Sequence, residues 1–328
     1  MIDLSKPVDI NWELNNICNL MCPQCARNEI KDGVLQWNKS GDGNPTESLN
    51  TSEMSLNQFV TCYNNIGNVG LVKFYGQISE NVLSKDYLDI CEFIVYSGSR
   101  VLTSTNGSIR TKKWWREFGK LKNNKVVFCI DGIDTLSHYR INASYDKIIE
   151  NATSFIEGGG NAEWRMIVFK HNEHEISRAQ ETAKKLGFNS FTLLYSQRSD
   201  TTEFTYKGEE YKIEPSSHSK LNVSVGEIVC KFQEYNSIYV SHTGRVWPCC
   251  YLPEQKSSLG EQQFYDDYYY DKSNNLLDRS LKEIMEDIFY EALQLSWESP
   301  SNCLSQCTNM CSYKPGFEKS NSYRETIW

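Results

Sequence analysis

Three cysteines stand together near the start of the chain, as Cys18-Asn-Leu-Met-Cys22-Pro-Gln-Cys25, and six more gather towards its end: Cys230, Cys249, Cys250, Cys303, Cys307 and Cys311. Thiols grouped in this way bind metal or exchange electrons, because the thiolate is both the soft ligand and the nucleophile. A C-x3-C-x2-C triad on one short loop can hold three irons of a [4Fe–4S] cube and leave the fourth iron without a protein ligand. The competing reading is a structural zinc knuckle. It needs a fourth Cys or His, and the nearest histidine is the distant His138. The other three of the twelve cysteines, Cys62, Cys91 and Cys129, stand singly in apolar runs such as YLDICEFIVY and KVVFCIDG and read as buried small hydrophobes.

The elements that must position these thiols follow a rhythm. From the start to about residue 195, short β-branched runs alternate with amphipathic stretches. Strands are predicted at Val8–Glu13, Leu71–Tyr75, Val101–Thr105, Val126–Ile130, Trp164–Lys170 and Phe191–Tyr195. Helices are predicted around 56–67, 83–97, 111–121, 145–157 and 174–187, the fourth stopped by Gly158–Gly160. Repeated β-α units imply an α/β protein with parallel strands, and periodicity alone does not choose between a partial barrel and an open doubly wound sheet. In both, chemistry gathers beyond the C-terminal ends of the strands. Beyond residue 196 the rhythm breaks. Residues 196–225 read as a polar linker, and 238–241 with 245–247 as a hairpin turning at His242-Thr243-Gly244. The acidic, aromatic stretch 261–275 reads as a surface loop, and Leu277 to Ala292 as one amphipathic helix.

Composition narrows the class. Among the 328 residues, 34 Lys and Arg face 42 Asp and Glu, a net charge of −8 that argues against broad nucleic-acid binding. With 39% hydrophobic residues the chain has a core to bury, which excludes disorder. No apolar run approaches the roughly 20 residues of a membrane span, and MIDLSKPVDINWELNN has no secretory pattern. A cytoplasmic protein is therefore expected, with no membrane and no nucleic-acid partner. That compartment keeps thiols reduced, which favours metal over disulfides.

The triad after a first strand resembles the radical S-adenosylmethionine (radical SAM) superfamily, and the likeness extends over residues 8–195. Gly76-Gln77-Ile78-Ser79-Glu80 follows the second strand like the family's SAM-amine motif, with Ser79 and Asn81 in place of the commoner Gly and Pro. Thr105-Asn106-Gly107 is similar to its TNG element, and Ile130-Asp131-Gly132 to its S-I-D-G element, with Cys129 where Ser is usual. Arg140 matches an arginine that often pairs with the SAM carboxylate. The resemblance implies a partial (β/α)6 TIM-like barrel over 1–200, with a [4Fe–4S] cluster on Cys18, Cys22 and Cys25 as the catalytic centre. SAM would be cleaved there to methionine and a 5′-deoxyadenosyl radical. Gly76, Gln77, Ser79 and Glu80 would serve the SAM ammonium, Arg140 its carboxylate, and Asn106 or Asp131 the ribose. Asp131-Gly132 as a plain turn and Arg140 as a solvated charge are the plainer readings of the same residues. Arg165 is a weaker cofactor-binding candidate, with an ion pair as its alternative. A flavodoxin or ferredoxin-type protein is the implied electron donor.

Cys230-x13-Gly244-x4-Cys249 resembles the opening of SPASM/twitch auxiliary-cluster domains. The full pattern needs more cysteines than Cys303-x3-Cys307-x3-Cys311 supplies. One auxiliary [4Fe–4S] cluster is therefore expected within 201–328, on Cys230, Cys249, Cys303 and Cys307. Cys311 is an alternative to either of the last two, Cys250 is expected to pack inward, and a zinc ribbon is the competing reading. The implied function is a maturase-type oxidation or crosslinking of a peptide or protein. Dehydrogenation of a small alcohol or sugar is the alternative substrate class, and a non-catalytic iron–sulfur carrier or sensor is the alternative of another kind. Anaerobically reconstituted protein is expected to hold about eight irons, with Cys18, Cys22 and Cys25 changed together to Ala removing about half of them. Iron and zinc analysis checks this, and zinc without iron would overturn it.

Overall fold

The computed structural model of the chain describes residues 2–37, 52–196, 200–218, 226–253, 263–298, 302–313 and 324–328. It divides into two compact units, one of residues 1–17, 39–101 and 224–318, the other of 18–38, 102–223 and 319–328.

In the first unit the strand Val8–Trp12 lies between two parallel neighbours, Val69–Phe74 and Ser237–Val240, and Ile10 is in register with Val72 and with Ile238. Val246–Trp247 adds an antiparallel edge to Ser237–Val240, so the expected hairpin forms. Gly244 turns it at φ +86, and a side chain there would crowd Asn275 and the Cys62 sulfur, which is why glycine is required. The helix Leu56–Ile66 starts at a Ser55–Gln58 capping box and buries Phe59 against Trp12. The stretch read as a surface loop contains the helix Gln263–Asp271 instead. Its Tyr265 and Tyr268 are buried because their hydroxyls reach the Leu252 and Val246 carbonyls, at 2.6 and 2.8 Å. The single helix predicted over 277–292 is two, Leu281–Met285 and Ile288–Ser296.

The second unit carries most of the strand Arg100–Thr105, followed by Asn124–Cys129, Asn161–Val168 and Ser190–Tyr195. The last three pair parallel and in sequence order, with Phe128 opposite Trp164 and Trp164 opposite Phe191. Helices Lys112–Gly119, Tyr145–Glu157 and Ile176–Leu186 connect them. The β-α series is thus present as predicted, with boundaries shifted by a few residues. Two hairpins were not anticipated, Asn28–Lys31 with Val34–Trp37 and Thr202–Tyr206 with Glu209–Ile213. The second replaces part of the expected linker, of which 197–199 and 219–225 lie outside the described residues.

One buried side chain shapes the turn that leaves Arg100–Thr105. Asn151, on the inner face of Tyr145–Glu157, donates to the Gly107 carbonyl at 2.8 Å and the Ile109 carbonyl at 2.9 Å. Asn151→Ala strands the buried Gly107 carbonyl, while the Ile109 carbonyl keeps the Trp115 indole N–H at 2.8 Å, so a loss of about 1–3 kcal/mol is expected in urea unfolding. A loss below about 0.5 kcal/mol, the level of an ordinary surface change, would show that the turn holds itself.

Candidate active site

The cluster loop is tied down from both sides within the second unit. Cys25 N–H donates to the Cys22 carbonyl at 3.1 Å, and the Asn28 side chain to the same carbonyl at 2.8 Å, making a tight loop. Met21 N–H donates to the Ile141 carbonyl at 3.1 Å. Met21, Tyr139, Ile141 and Phe169 share one apolar cluster, against which Cys22 packs. Because Tyr139 and Ile141 are buried, the residue between them is drawn inward with them. That residue is Arg140, 2.7 Å from the Asp131 carboxylate. Burial opposes its charge, but Asp131 together with Cys129, Cys22 and Tyr139 outweighs that cost and pushes the Arg140 pKa up. Burial pushes the Cys22 thiol well up, and the Arg140 charge pulls it back. Among the described residues the terminal guanidinium nitrogens of Arg140 have no hydrogen-bond partner.

Asn106 donates to the Asn19 side chain at 2.9 Å, with Cys18 Sγ at 3.9 Å, and accepts from Ser108 N–H at 2.9 Å. Cys18, Cys22, Cys25, Asn106, Asp131 and Arg140 are thus neighbours. The Asp131 carboxylate, expected at a ribose, faces Arg140 and accepts Ile167 N–H at 2.7 Å. Arg165 is elsewhere: it grips the buried Glu163 at 2.8 and 3.0 Å, the ion pair weighed as its alternative.

In the first unit, Gly76 takes φ +64, and a Cβ there would stand 2.3 Å from the Ser79 carbonyl oxygen. Only glycine makes that turn. The loop closes over Glu13, a fully buried carboxylate that accepts Gln77 N–H, Ile78 N–H at 3.3 Å and the Ser79 hydroxyl. Glu80 is buried, and its N–H donates to the Ile17 carbonyl at 2.7 Å. Burial raises the Glu13 carboxyl to about 7 against the pull of those donors. Sequence reasoning passed over Glu13, although an acid ending a strand that is otherwise fit for burial is itself a signal.

The late cysteines also converge within the first unit. Cys230, Cys249, Cys307 and Cys311 line one small apolar pocket with Phe232, Pro248, Leu293 and Trp297. Cys307 and Cys311 are four residues apart on the helix Ser305–Cys311 and so share a face. Cys303 precedes that helix and shares a hydrogen bond with Cys307 rather than lining the pocket. Cys250 is buried and does not line it. Burial pushes the Cys249 and Cys311 thiols up. An apolar chamber of neutral thiols suits a multinuclear iron–sulfur cluster, whose cationic irons stabilise the thiolates that burial disfavours. Among the described residues no three Cys, His, Asp or Glu side chains close on a single metal ion.

Residues 230–311 match the SPASM family, an iron–sulfur cluster-binding domain. The AdoMet-dependent heme synthase of Methanosarcina barkeri is 21% identical over 300 residues, 79% of this chain and 81% of its own. Among solved structures, native anSMEcpe with bound AdoMet and the Cp18Cys peptide is similar at 15% identity and a TM-score of 0.54, covering 95% of this chain and 91% of that one. Streptococcus suis SuiB bound to the precursor peptide SuiA is similar at 16% identity and a TM-score of 0.52, covering 81% of this chain. The chain spans 65% of SuiB's length. These likenesses show the fold, an α/β protein with parallel strands of the partial-barrel kind. Residues 230–311 form a SPASM-type iron–sulfur domain, and over the rest of the chain the likenesses show the fold alone. No helix among the described residues is long and apolar enough to cross a membrane.

A carboxyl raised above its unfolded value adds stability below the unfolded pKa, and that stability is lost as pH rises through the folded one. For Glu13 the window runs from the ordinary 4.5 to about 7. Glu13→Gln is expected to be more stable than the wild type at pH 8 by about 3 kcal/mol, with the difference vanishing near pH 4. Urea midpoints across that range check it, and a pH-independent difference would refute the burial argument.

Proposed function

We propose that the protein is a radical SAM enzyme that abstracts hydrogen from a peptide or protein substrate, with one auxiliary [4Fe–4S] cluster assisting. The observation that carries this reading is Arg140, partly buried beside Cys22 with its charge secured by Asp131 and its outer N–H groups available to an anion. Cys18, Cys22 and Cys25 would hold the catalytic [4Fe–4S] cluster. A reduced cluster held there would supply the one electron for cleavage of the SAM sulfonium to methionine and a 5′-deoxyadenosyl radical. The protein's own residues bind and orient. Arg140 takes the SAM carboxylate, the Gly76–Glu80 loop takes the ammonium, and Asp131 positions Arg140. The apolar cluster around Met21 and Phe169 excludes water from the loop. Cys230, Cys249, Cys307 and Cys311 would hold the auxiliary cluster, which revises the expected set by exchanging Cys303 for Cys311. The electron would come from a flavodoxin or ferredoxin-type donor.

The peptide class is supported by two neighbours solved with peptides, anSMEcpe and SuiB. A second reading, a small-molecule substrate, is favoured by the heme synthase relative. Detection of 5′-deoxyadenosine from reduced holoprotein with SAM tests the initiation step. Mass spectrometry of candidate peptides against small alcohols, sugars and tetrapyrroles then separates the substrate classes. Arg140→Ala is expected to weaken SAM binding by roughly 1.5–3 kcal/mol, the worth of a charge-assisted hydrogen bond. Cys311→Ala should lose the auxiliary cluster's iron while Cys303→Ala keeps it. The reverse result would return Cys303 to the ligand set, and unchanged SAM affinity would make Arg140 a structural charge.

A further inference from the structure

Glu13 is fully buried and cannot touch a ligand, yet it gathers the Gly76–Glu80 loop. We infer that Glu13 is a positioning residue that sets the polarity of this loop for the SAM ammonium and ties the loop to the segment entering Cys18. The inference rests on the radical SAM reading above and adds a residue to it.

The peptide plane fixes which way each carbonyl of this loop faces. In a trans peptide the carbonyl of one residue points opposite to the N–H of the next, and the described chain has no cis peptide. Gln77 N–H and Ile78 N–H point at Glu13. The carbonyls of Gly76 and Gln77 therefore point away from it. A loop arranged with its donors inward and its acceptors outward suits a cation, and an ammonium is the cationic end of SAM. A carboxylate behind those N–H groups also polarises each peptide and strengthens the carbonyl as an acceptor.

The same segment is stitched to the loop beyond Glu13. Leu14 N–H donates to the Asn81 side chain at 2.6 Å. The Asn15 side chain donates to the Glu80 carbonyl at 3.1 Å and to the Ser84 hydroxyl at 2.7 Å. Glu80 N–H reaches back to the Ile17 carbonyl at 2.7 Å. This hydrogen-bonded frame ends at Ile17, the residue before Cys18 in the chain. Burial of a carboxylate that titrates near neutrality costs stability, which fits a functional more than a structural role. The neighbouring Glu80 charge also favours the protonated form of Glu13.

The test measures SAM affinity of reconstituted holoprotein by equilibrium dialysis from pH 6 to 8.5, with iron content and SAM-saturated 5′-deoxyadenosine release in parallel. Glu13→Ala is expected to bind SAM at least tenfold more weakly, keep its iron, and release 5′-deoxyadenosine within a few-fold of wild type at saturation. Glu13→Gln keeps an acceptor for both amides and offers its NH2 to the Ser79 hydroxyl, so it should stay within threefold at pH 8. It should also lack the weakening that wild type shows as pH falls through about 7. Ser79→Ala should cost affinity in wild type and nothing further in Glu13→Ala. If Glu13→Ala does not fold, Glu13→Gln and Ser79→Ala carry the test through the pH dependence and its loss. Wild-type SAM affinity in Glu13→Ala, or the same pH dependence in Glu13→Gln, overturns the inference alone. A wild type that binds no SAM overturns the functional reading and this inference with it.

Discussion

Arg140 and Asp131 illustrate the constraint on which the rest depends: a charge taken out of water must find an opposite charge or a full set of hydrogen bonds. The pair lies 2.7 Å apart in an interior built from Tyr139, Ile141, Met21 and Phe169. Remove either partner and the other is stranded, so the apolar packing that fixes the cluster loop and the charge that faces it are one design. The same rule governs Glu163 in the second unit, buried and gripped by Arg165 and by Lys125 at 2.7 Å.

The thiols follow this rule in a different form. Cys22 and Cys249 are held where a bare thiolate is costly, and burial drives both pKa values up. Cationic irons reverse that preference, so the pockets are arranged for an occupant that supplies positive charge. Apolar walls of Leu293, Trp297 and Phe232 around the late thiols keep the dielectric low, which strengthens every charge interaction inside. Thiol burial and apolar shell are therefore two aspects of one preference for a cluster over water.

The β-α series was legible because each strand is a short apolar run and each helix has a face. Six strands and five helices read from periodicity are all present. The elements that escaped are those whose burial depends on distant partners. The Gln263–Asp271 helix hides its period because tyrosine reads as polar until its hydroxyl finds a carbonyl. The hairpins at 28–37 and 202–213 are short and polar, and Val34 pairs with Thr205 across a long stretch of chain. Local pattern cannot register a strand whose partner lies so far away.

For the site, spacing alone determined much. C-x3-C-x2-C put three thiols on one short loop, and His242-Thr243-Gly244 between two short apolar runs marked a hairpin with glycine at its turn. Those are local matters, fixed by the reach of a few residues and by the one side chain that tolerates a positive φ. Tertiary structure decided the pairings. It turned Asp131 towards Arg140, gave Arg165 to Glu163, set Cys311 rather than Cys303 on the wall of the late pocket, and brought Glu13 beneath a loop more than sixty residues away. A charged or polar side chain takes whichever partner the packed interior brings within hydrogen-bond reach, and that choice is made only when the strands have assembled.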